Sequence, residues 1–183
     1  MNSIEFIEVQ GIISRSPFNN EIFPMFCETG TFQGGTTNNM APHFSKIYSI
    51  ELQTNFYHAA VERFKNFPNI QILHGDSSDK LKDINYDGNV IFFLDGHWSG
   101  YDTAQGLKDC PLLEELEIIN EVVLGKAIVI IDDSRLFGKN KTHYHLNPDW
   151  TDIIPENIVA KVKDRIVYQE DVNDRFTVCL KEK

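Results

Sequence analysis

The sequence predicts an α/β domain: a doubly wound, mostly parallel sheet with an antiparallel hairpin at its C-terminal edge. Three observations carry this prediction. Short runs of β-branched, aromatic and aliphatic residues recur along the chain, each ending in a polar or acidic residue, the pattern of strands buried on both faces. Stretches with apolar residues at helical spacing separate these runs, and strand alternating with helix implies parallel strands joined by right-handed crossovers. Near the C-terminus two further runs flank Val172-Asn173-Asp174-Arg175, a polar turn of the kind that joins a hairpin.

Taken in order, the first run is Pro24-Met25-Phe26-Cys27, which leads into Glu28-Thr29-Gly30. The second, Ile47-Tyr48-Ser49-Ile50, ends at Glu51, and the third, Ile70-Gln71-Ile72-Leu73, leads to His74-Gly75-Asp76. Residues 90–94 close at Asp95, and residues 127–131 close at Asp132 and Asp133. A helix is predicted over residues 52–67, where Phe56, Ala59, Ala60 and Phe64 share a face and Pro68 stops the chain. A second is predicted over residues 112–124, with Leu112, Leu113, Leu116, Ile119 and Val123 on one side and Gly125 closing it. Residues 165–169 and 176–180 supply the hairpin strands, which makes seven strands in all. Residues 1–23 read as a short N-terminal segment and residues 24–183 as the core of a single domain.

Composition agrees with a packed core and excludes several classes. The chain of 183 residues is 42% hydrophobic and 24% charged, and a chain of this length buries roughly 70% of the surface it exposes when unfolded. No apolar run approaches the ~18 residues of a membrane span. The opening MNSIEFIEVQ has no basic n-region and carries Glu5 and Glu8 in its first apolar stretch, so the expectation is a cytoplasmic protein without a membrane partner. Cys27, Cys110 and Cys179 are an odd number at wide spacing, which predicts reduced thiols and neither a disulfide framework nor a zinc site. Seventeen basic residues stand against 27 acidic ones, a net charge of -10. With no basic block, such a chain would repel a phosphate backbone, and nucleic acid is not an expected partner.

Ligands of open α/β sheets bind outside the carboxyl ends of the strands, near the point where strand order reverses. Glu28, Glu51, Asp76, Asp95, Asp132 and Asp133 all fall at such ends. Gathering so many carboxylates is costly unless a cation or a polyhydroxylated ligand joins them. After the first strand, residues 28–36 place their glycines as G-x-x-x-G-G rather than the G-x-G-x-x-G of a dinucleotide site. An acidic residue before Gly30 suits a ligand carrying an ammonium and a carboxylate better than one carrying a pyrophosphate. That spacing counts against the first alternative, a nicotinamide-dependent oxidoreductase. The second alternative is a non-catalytic binding module on the same fold.

In these motifs the chain resembles the class I S-adenosylmethionine-dependent methyltransferases, from about residue 24 to residue 180. The resemblance implies a Rossmann-like seven-stranded sheet and contacts to S-adenosylmethionine from Glu28, Gly30, Thr31, Phe32, Gly34, Thr36, Glu51, Asp76, Ser77 and Asp95. Glu51, 21 positions after Gly30, matches the residue that grips both ribose hydroxyls, and Asp76 the one that meets the adenine amino group. Phe32 is expected to support the turn by packing. Phe93-Leu94-Asp95-Gly96-His97-Trp98 and Ile130-Ile131-Asp132-Asp133-Ser134 are similar to the macrocin O-methyltransferase-like group, metal-dependent enzymes that methylate sugar hydroxyls. Residues 94–99 are also similar to small glycan-modifying methyltransferase domains encoded by large algal viruses.

This second resemblance implies Mg²⁺, or another divalent cation such as Mn²⁺, held by Asp95, Asp132 and Asp133. It also implies His97 as general base beside Asp95, and a sugar or glycan acceptor with hydroxyl groups. Only about two dozen residues precede the first strand, so the N-terminal substrate cap of the sugar enzymes is expected to be largely missing. Acceptor recognition then falls to loops or to a second subunit of a homo-oligomer. Structural alternatives stand beside these roles. Asp132 and Asp133 could simply cap a loop or helix, and His97 could be hydrogen-bonded beneath a loop. His74, His143 and His145 suit solvent-facing or loop-packing roles, with His145 within reach of the rim. Trp98, Tyr101 and Tyr144 are rim aromatics that could stack on an adenine or a sugar, whereas packing is favoured for Trp150. Arg135 either anchors an acceptor phosphate or neutralises an Asp.

Overall fold

A computed structural model describes residues 3–100, 103–139 and 148–183. Seven strands form one sheet: β1 (Met25–Thr29), β2 (Lys46–Glu51), β3 (Ile70–His74), β4 (Val90–Leu94), β5 (Ala127–Asp132), β6 (Ile166–Val172) and β7 (Arg175–Leu180). Their order is β3-β2-β1-β4-β5-β7-β6. The pairs from β3 through β5 are parallel, and β7 runs antiparallel to both β5 and β6. Strand order reverses between β1 and β4, which puts the switch point at the centre of the parallel region.

The helices are α1 (Phe6–Arg15), α2 (Gly35–Met40), α3 (Thr54–Phe64), α4 (Ser77–Lys80), α5 (Leu112–Val122) and α6 (Pro155–Val162). Strands β1, β4 and β5 have no exposed residue, and successive side chains go to opposite faces, so each strand feeds two cores. Cys27, Phe92, Leu94, Val129 and Ile131 join Leu116 and Ile119 of α5 and Ile158 and Val162 of α6 on one face. Phe26, Ile91, Phe93, Ile128 and Ile130 join Val9 and Ile12 of α1 and Met40 of α2 on the other. This two-sided burial is why the strands read as unbroken apolar runs.

Two helices went unread in the sequence. α1 lies within the segment ahead of the first strand, its Val9 and Ile12 buried against the sheet. Glu8 accepts the Glu5 N–H at 2.9 Å to close its first turn, and Arg15 pairs with Glu170 of β6 at 2.7 Å. α6 begins on Pro155, whose fixed φ and missing N–H suit a first helical position. The two helices that were read are shorter than their apolar patterns, ending at Phe64 and Val122. All three cysteines are buried free thiols. Among the described residues, no helix is long and apolar enough to cross a membrane.

Candidate active site

The carboxyl ends of β1, β2, β4 and the start of α4 surround a cleft of about 610 Å³, counting space open to solvent, within the range of small-molecule pockets. Glu51, Phe56, Asp76, Asp95, His97 and Trp98 are among its walls. A second hollow of about 540 Å³ continues past Gly30 and Asp95 to Glu28, Thr36 and Arg63.

The turn after β1 is built to let something approach. Gly30 (φ 83°) donates its N–H to the Ile50 carbonyl at 2.9 Å, and a Cβ there would stand 2.4 Å from the Asp95 carbonyl oxygen. Only glycine lets the β1 and β4 turns meet. Phe32 adopts φ 48° and sets its ring against Phe56, centroids 4.7 Å apart, so it packs as expected. Thr31 shares a 2.6 Å hydrogen bond with Ser49. Gly34, also left-handed at φ 74°, caps α2, and Thr36 lies within that helix beside the second hollow.

Glu51 is held by the backbone: Oε2 accepts the Phe32 N–H and Oε1 accepts the Gln53 N–H, both at 2.7 Å. Its carboxylate is thereby locked at the cleft wall with lone pairs to spare. Asp76 accepts Ser78 N–H at 2.9 Å and Ser78 Oγ–H at 2.6 Å through Oδ1, while Oδ2 faces Gly106 across the cleft. Ser77 begins α4 and lines the same wall. Glu28 lies deeper, accepting hydrogen bonds from Thr37 and Ser49. Burial pushes its carboxyl up to about 7, although those hydroxyls pull the other way.

The β4 and β5 ends form the opposite wall. His97 sits between two carboxylates, Nδ1 3.5 Å from Asp95 Oδ1 and Nε2 3.2 Å from Asp133 Oδ2. Its ring meets Trp150 edge-on at 4.9 Å. Asp95 is 8% exposed, and its Oδ1 accepts no hydrogen bond. Burial, reinforced by Asp132, Asp133 and Glu28, holds its carboxyl well above the usual range. For Asp133 burial also pushes upward, but the hydrogen bond to His97 and the pairing with Arg135 outweigh it and leave the carboxyl below its ordinary value. Asp133 reaches this position through a left-handed backbone (φ 60°, ψ 37°), a conformation that Asp tolerates better than most residues.

The structure gathers Asp95, His97 and Asp133, one ligand atom from each lying within 4.8 Å of the others. It does not bring Asp132 into that group. Asp132 Oδ1 faces Arg175 Nε at 3.3 Å, and Arg175 also pairs with Glu8 at 2.5 Å. Alternation along β5 explains the split: Asp132 shares a face with Ile128 and Ile130, the face that α1 covers. The three-aspartate cation set implied by resemblance is therefore not assembled, and the donors present are two carboxylates and an imidazole.

Other rim residues resolve individually. Arg135 pairs with Asp133 and Asp174, the neutralising role. Trp150 is 2% exposed and packs on Phe137, as favoured. Trp98 lines the cleft, and His74 stacks on Tyr57 at 4.6 Å. Tyr101, His143, Tyr144 and His145 lie outside the described residues. Sequence reasoning missed Glu115, which is 1% exposed beneath Gly96, its carboxyl pushed up to about 7 by burial. A signal existed: Glu115 occupies a core position of α5 between Leu112 and Leu116. Arg63 and Arg175 had no local signal.

No family model matches the chain. Ribosomal RNA small subunit methyltransferase A of Caldanaerobacter subterraneus subsp. tengcongensis is 23% identical over 134 residues, covering 69% of this chain and 49% of that protein. The chain thus spans about half the length of the curated relative it matches. Among solved structures, a candidate rRNA methylase from Clostridium thermocellum superposes with a TM-score of 0.63 at 10% identity, covering 100% of both chains. A candidate methyltransferase from Streptococcus mutans, solved in complex with S-adenosylhomocysteine, gives 0.58 at 14% identity, again over 100% of both. An O-methyltransferase family protein from Burkholderia thailandensis gives 0.59 at 11% identity, covering 97% of this chain and 56% of that one. The fold is that of the class I S-adenosylmethionine-dependent methyltransferases.

Proposed function

We propose that the chain transfers a methyl group from S-adenosylmethionine to a hydroxyl oxygen of a sugar, glycan or similar polyol. The observation that carries this reading is the position of Glu51. A carboxylate fixed by two backbone N–H groups at the end of β2 keeps lone pairs directed at a cleft of small-molecule size, suited to a ribose diol. The chain's own residues fit the rest of the cofactor. Asp76 and Ser77 take the adenine end, Gly30 and Phe32 shape the turn around the sulfur, and Glu28, Thr31, Gly34 and Thr36 surround the hollow for the amino-acid end. When bound, S-adenosylmethionine supplies a methyl carbon on a sulfonium, which leaves without further activation.

The remaining task is to hold an acceptor oxygen in line with that carbon and receive its proton. Asp95, His97 and Asp133 border the cleft on that side. As the C–O bond forms and the methyl–sulfur bond breaks, the hydroxyl proton passes to this trio. Both ring nitrogens of His97 face carboxylates, so it works as one member of the trio rather than as a free base. An uncharged polyol is favoured over a polyanion by the acidic rim and the net charge of -10.

The test is calorimetry with S-adenosylhomocysteine and with NAD, followed by labelled methyl transfer across glycans, catechols, small diols and a structured RNA. Homocysteine-form binding with transfer to a hydroxyl compound is the expected result. Binding of NAD alone would overturn the cofactor assignment. Cofactor binding without turnover on any hydroxyl acceptor, or turnover only on RNA, would overturn the acceptor.

A further inference from the structure

We propose that Asp95, His97 and Asp133 form a binding site for a first-row transition cation, of which Mn²⁺ is the probe, in preference to Mg²⁺, and that Asp132 is not among its ligands. The site lies in the acceptor half of the proposed methyltransferase, and its role there rests on that reading. Binding of the ion does not.

Two observations point independently to a missing positive centre. A neutral imidazole has one N–H and one lone pair, yet both ring nitrogens of His97 look at carboxylate oxygens, at 3.5 and 3.2 Å. An N–H satisfies one of these contacts, and the lone pair at the other calls for a cation between. Separately, Asp95 Oδ1 is buried without a hydrogen bond, a costly state for a carboxylate unless an ion or proton completes it.

The geometry is close to what an ion requires. One donor atom from each residue lies within 4.8 Å of the others, and two donors each ~2.1 Å from a shared ion stand at most ~4.2 Å apart. Movements of a few tenths of an ångström close the set, and three ligands leave positions open toward the cleft. The donor types decide which ion. Mg²⁺ favours all-oxygen octahedral surroundings, whereas imidazole with carboxylate suits later first-row metals. Arg135 occupies the Oδ1 side of Asp133 and leaves Oδ2 for the site, and Arg175 keeps Asp132 turned away.

The experiment uses the whole chain, stripped with a chelator and titrated with MnCl₂ by electron paramagnetic resonance and calorimetry, with MgCl₂ as competitor. One Mn²⁺ should bind at least about tenfold more tightly than Mg²⁺. His97→Ala and Asp95→Asn should each weaken Mn²⁺ by more than about tenfold, since even the outer partners of ligands cost 10- to 100-fold. Asp132→Asn should stay within about threefold of the unmodified protein. Circular dichroism of the metal-free variants identifies any that fail to fold, and two ligand variants are used so that one failure leaves the other. No Mn²⁺ uptake, equal affinity for Mg²⁺, or loss of Mn²⁺ in Asp132→Asn would each overturn the proposal. S-adenosylhomocysteine calorimetry on the same samples separates the two readings: intact Mn²⁺ binding without cofactor binding sinks the methyltransferase and leaves the metal site standing.

Discussion

Glu51 and Gly30 are where one side chain, or the lack of one, decides the cleft. Replacing Glu51 with Ala removes the acceptor of two backbone N–H groups and the proposed ribose contact. Affinity for S-adenosylhomocysteine should fall by about 2–3 kcal/mol, roughly 30- to 150-fold. Unchanged affinity in calorimetry would rule out the ribose role. Gly30→Ala tests the close approach directly. Its Cβ would meet the Asp95 carbonyl at 2.4 Å, in a backbone conformation with φ 83°. Thermal unfolding should show a loss on the order of 1–3 kcal/mol, together with weakened cofactor binding. A variant as stable and as tight as the unmodified protein would mean that the two turns separate freely.

At the scale of elements, the β6–β7 hairpin does more than close a sheet edge. The β5–β7 register sets Arg175 opposite Asp132, and the side chain also reaches Glu8 of α1. Arg175→Met leaves Asp132 partly buried without its cation, and urea unfolding should register a loss on the order of 2–3 kcal/mol. Part of that loss should return in the Arg175→Met, Asp132→Asn double variant, because the stranded charge is then gone. No recovery would mean that Arg175 acts by packing alone. The same pair shows what a sequence can reveal. The strands were legible because two-sided burial writes itself as unbroken apolar runs, and the acidic residue closing each run follows from position alone. Which way an acidic side chain turns depends on a partner far along the chain. Arg175 is 43 positions from Asp132, and nothing local announces the pair. α1 and α6 escaped for another reason: with ten and eight residues, each shows too few turns of apolar spacing to stand out.

For the molecule as a whole, stability should depend on pH through two carboxyls in its interior. Burial raises Glu28 and Glu115 to about 7 each, against an ordinary 4.5. Between those values the folded chain holds protons that the unfolded chain releases. Their contribution is therefore complete below about pH 4.5 and is lost as pH rises through 7. Urea midpoints should fall from pH 5 to pH 7.5, and the Glu28→Gln, Glu115→Gln double variant should flatten that slope. Equal slopes would place the titrating groups elsewhere. Asp133 and Glu170, whose carboxyls lie below their ordinary values, act in the opposite sense, and only on the acid side of this window.

The reversal of strand order between β1 and β4 also bears on descent. Residues before the reversal shape the adenosine side of the cleft, and those after it carry the trio of Asp95, His97 and Asp133. Mutations accumulating beyond β4 can retune what is modified while the older half continues to carry the same donor. The joint is Gly30 against the Asp95 carbonyl, so drift on either side is free only while that contact survives. A graft of residues 97–133 from a relative with a different acceptor should leave S-adenosylhomocysteine affinity within a few-fold and carry the donor's acceptor preference with it; loss of cofactor binding in a folded graft would show that the two halves have evolved as one.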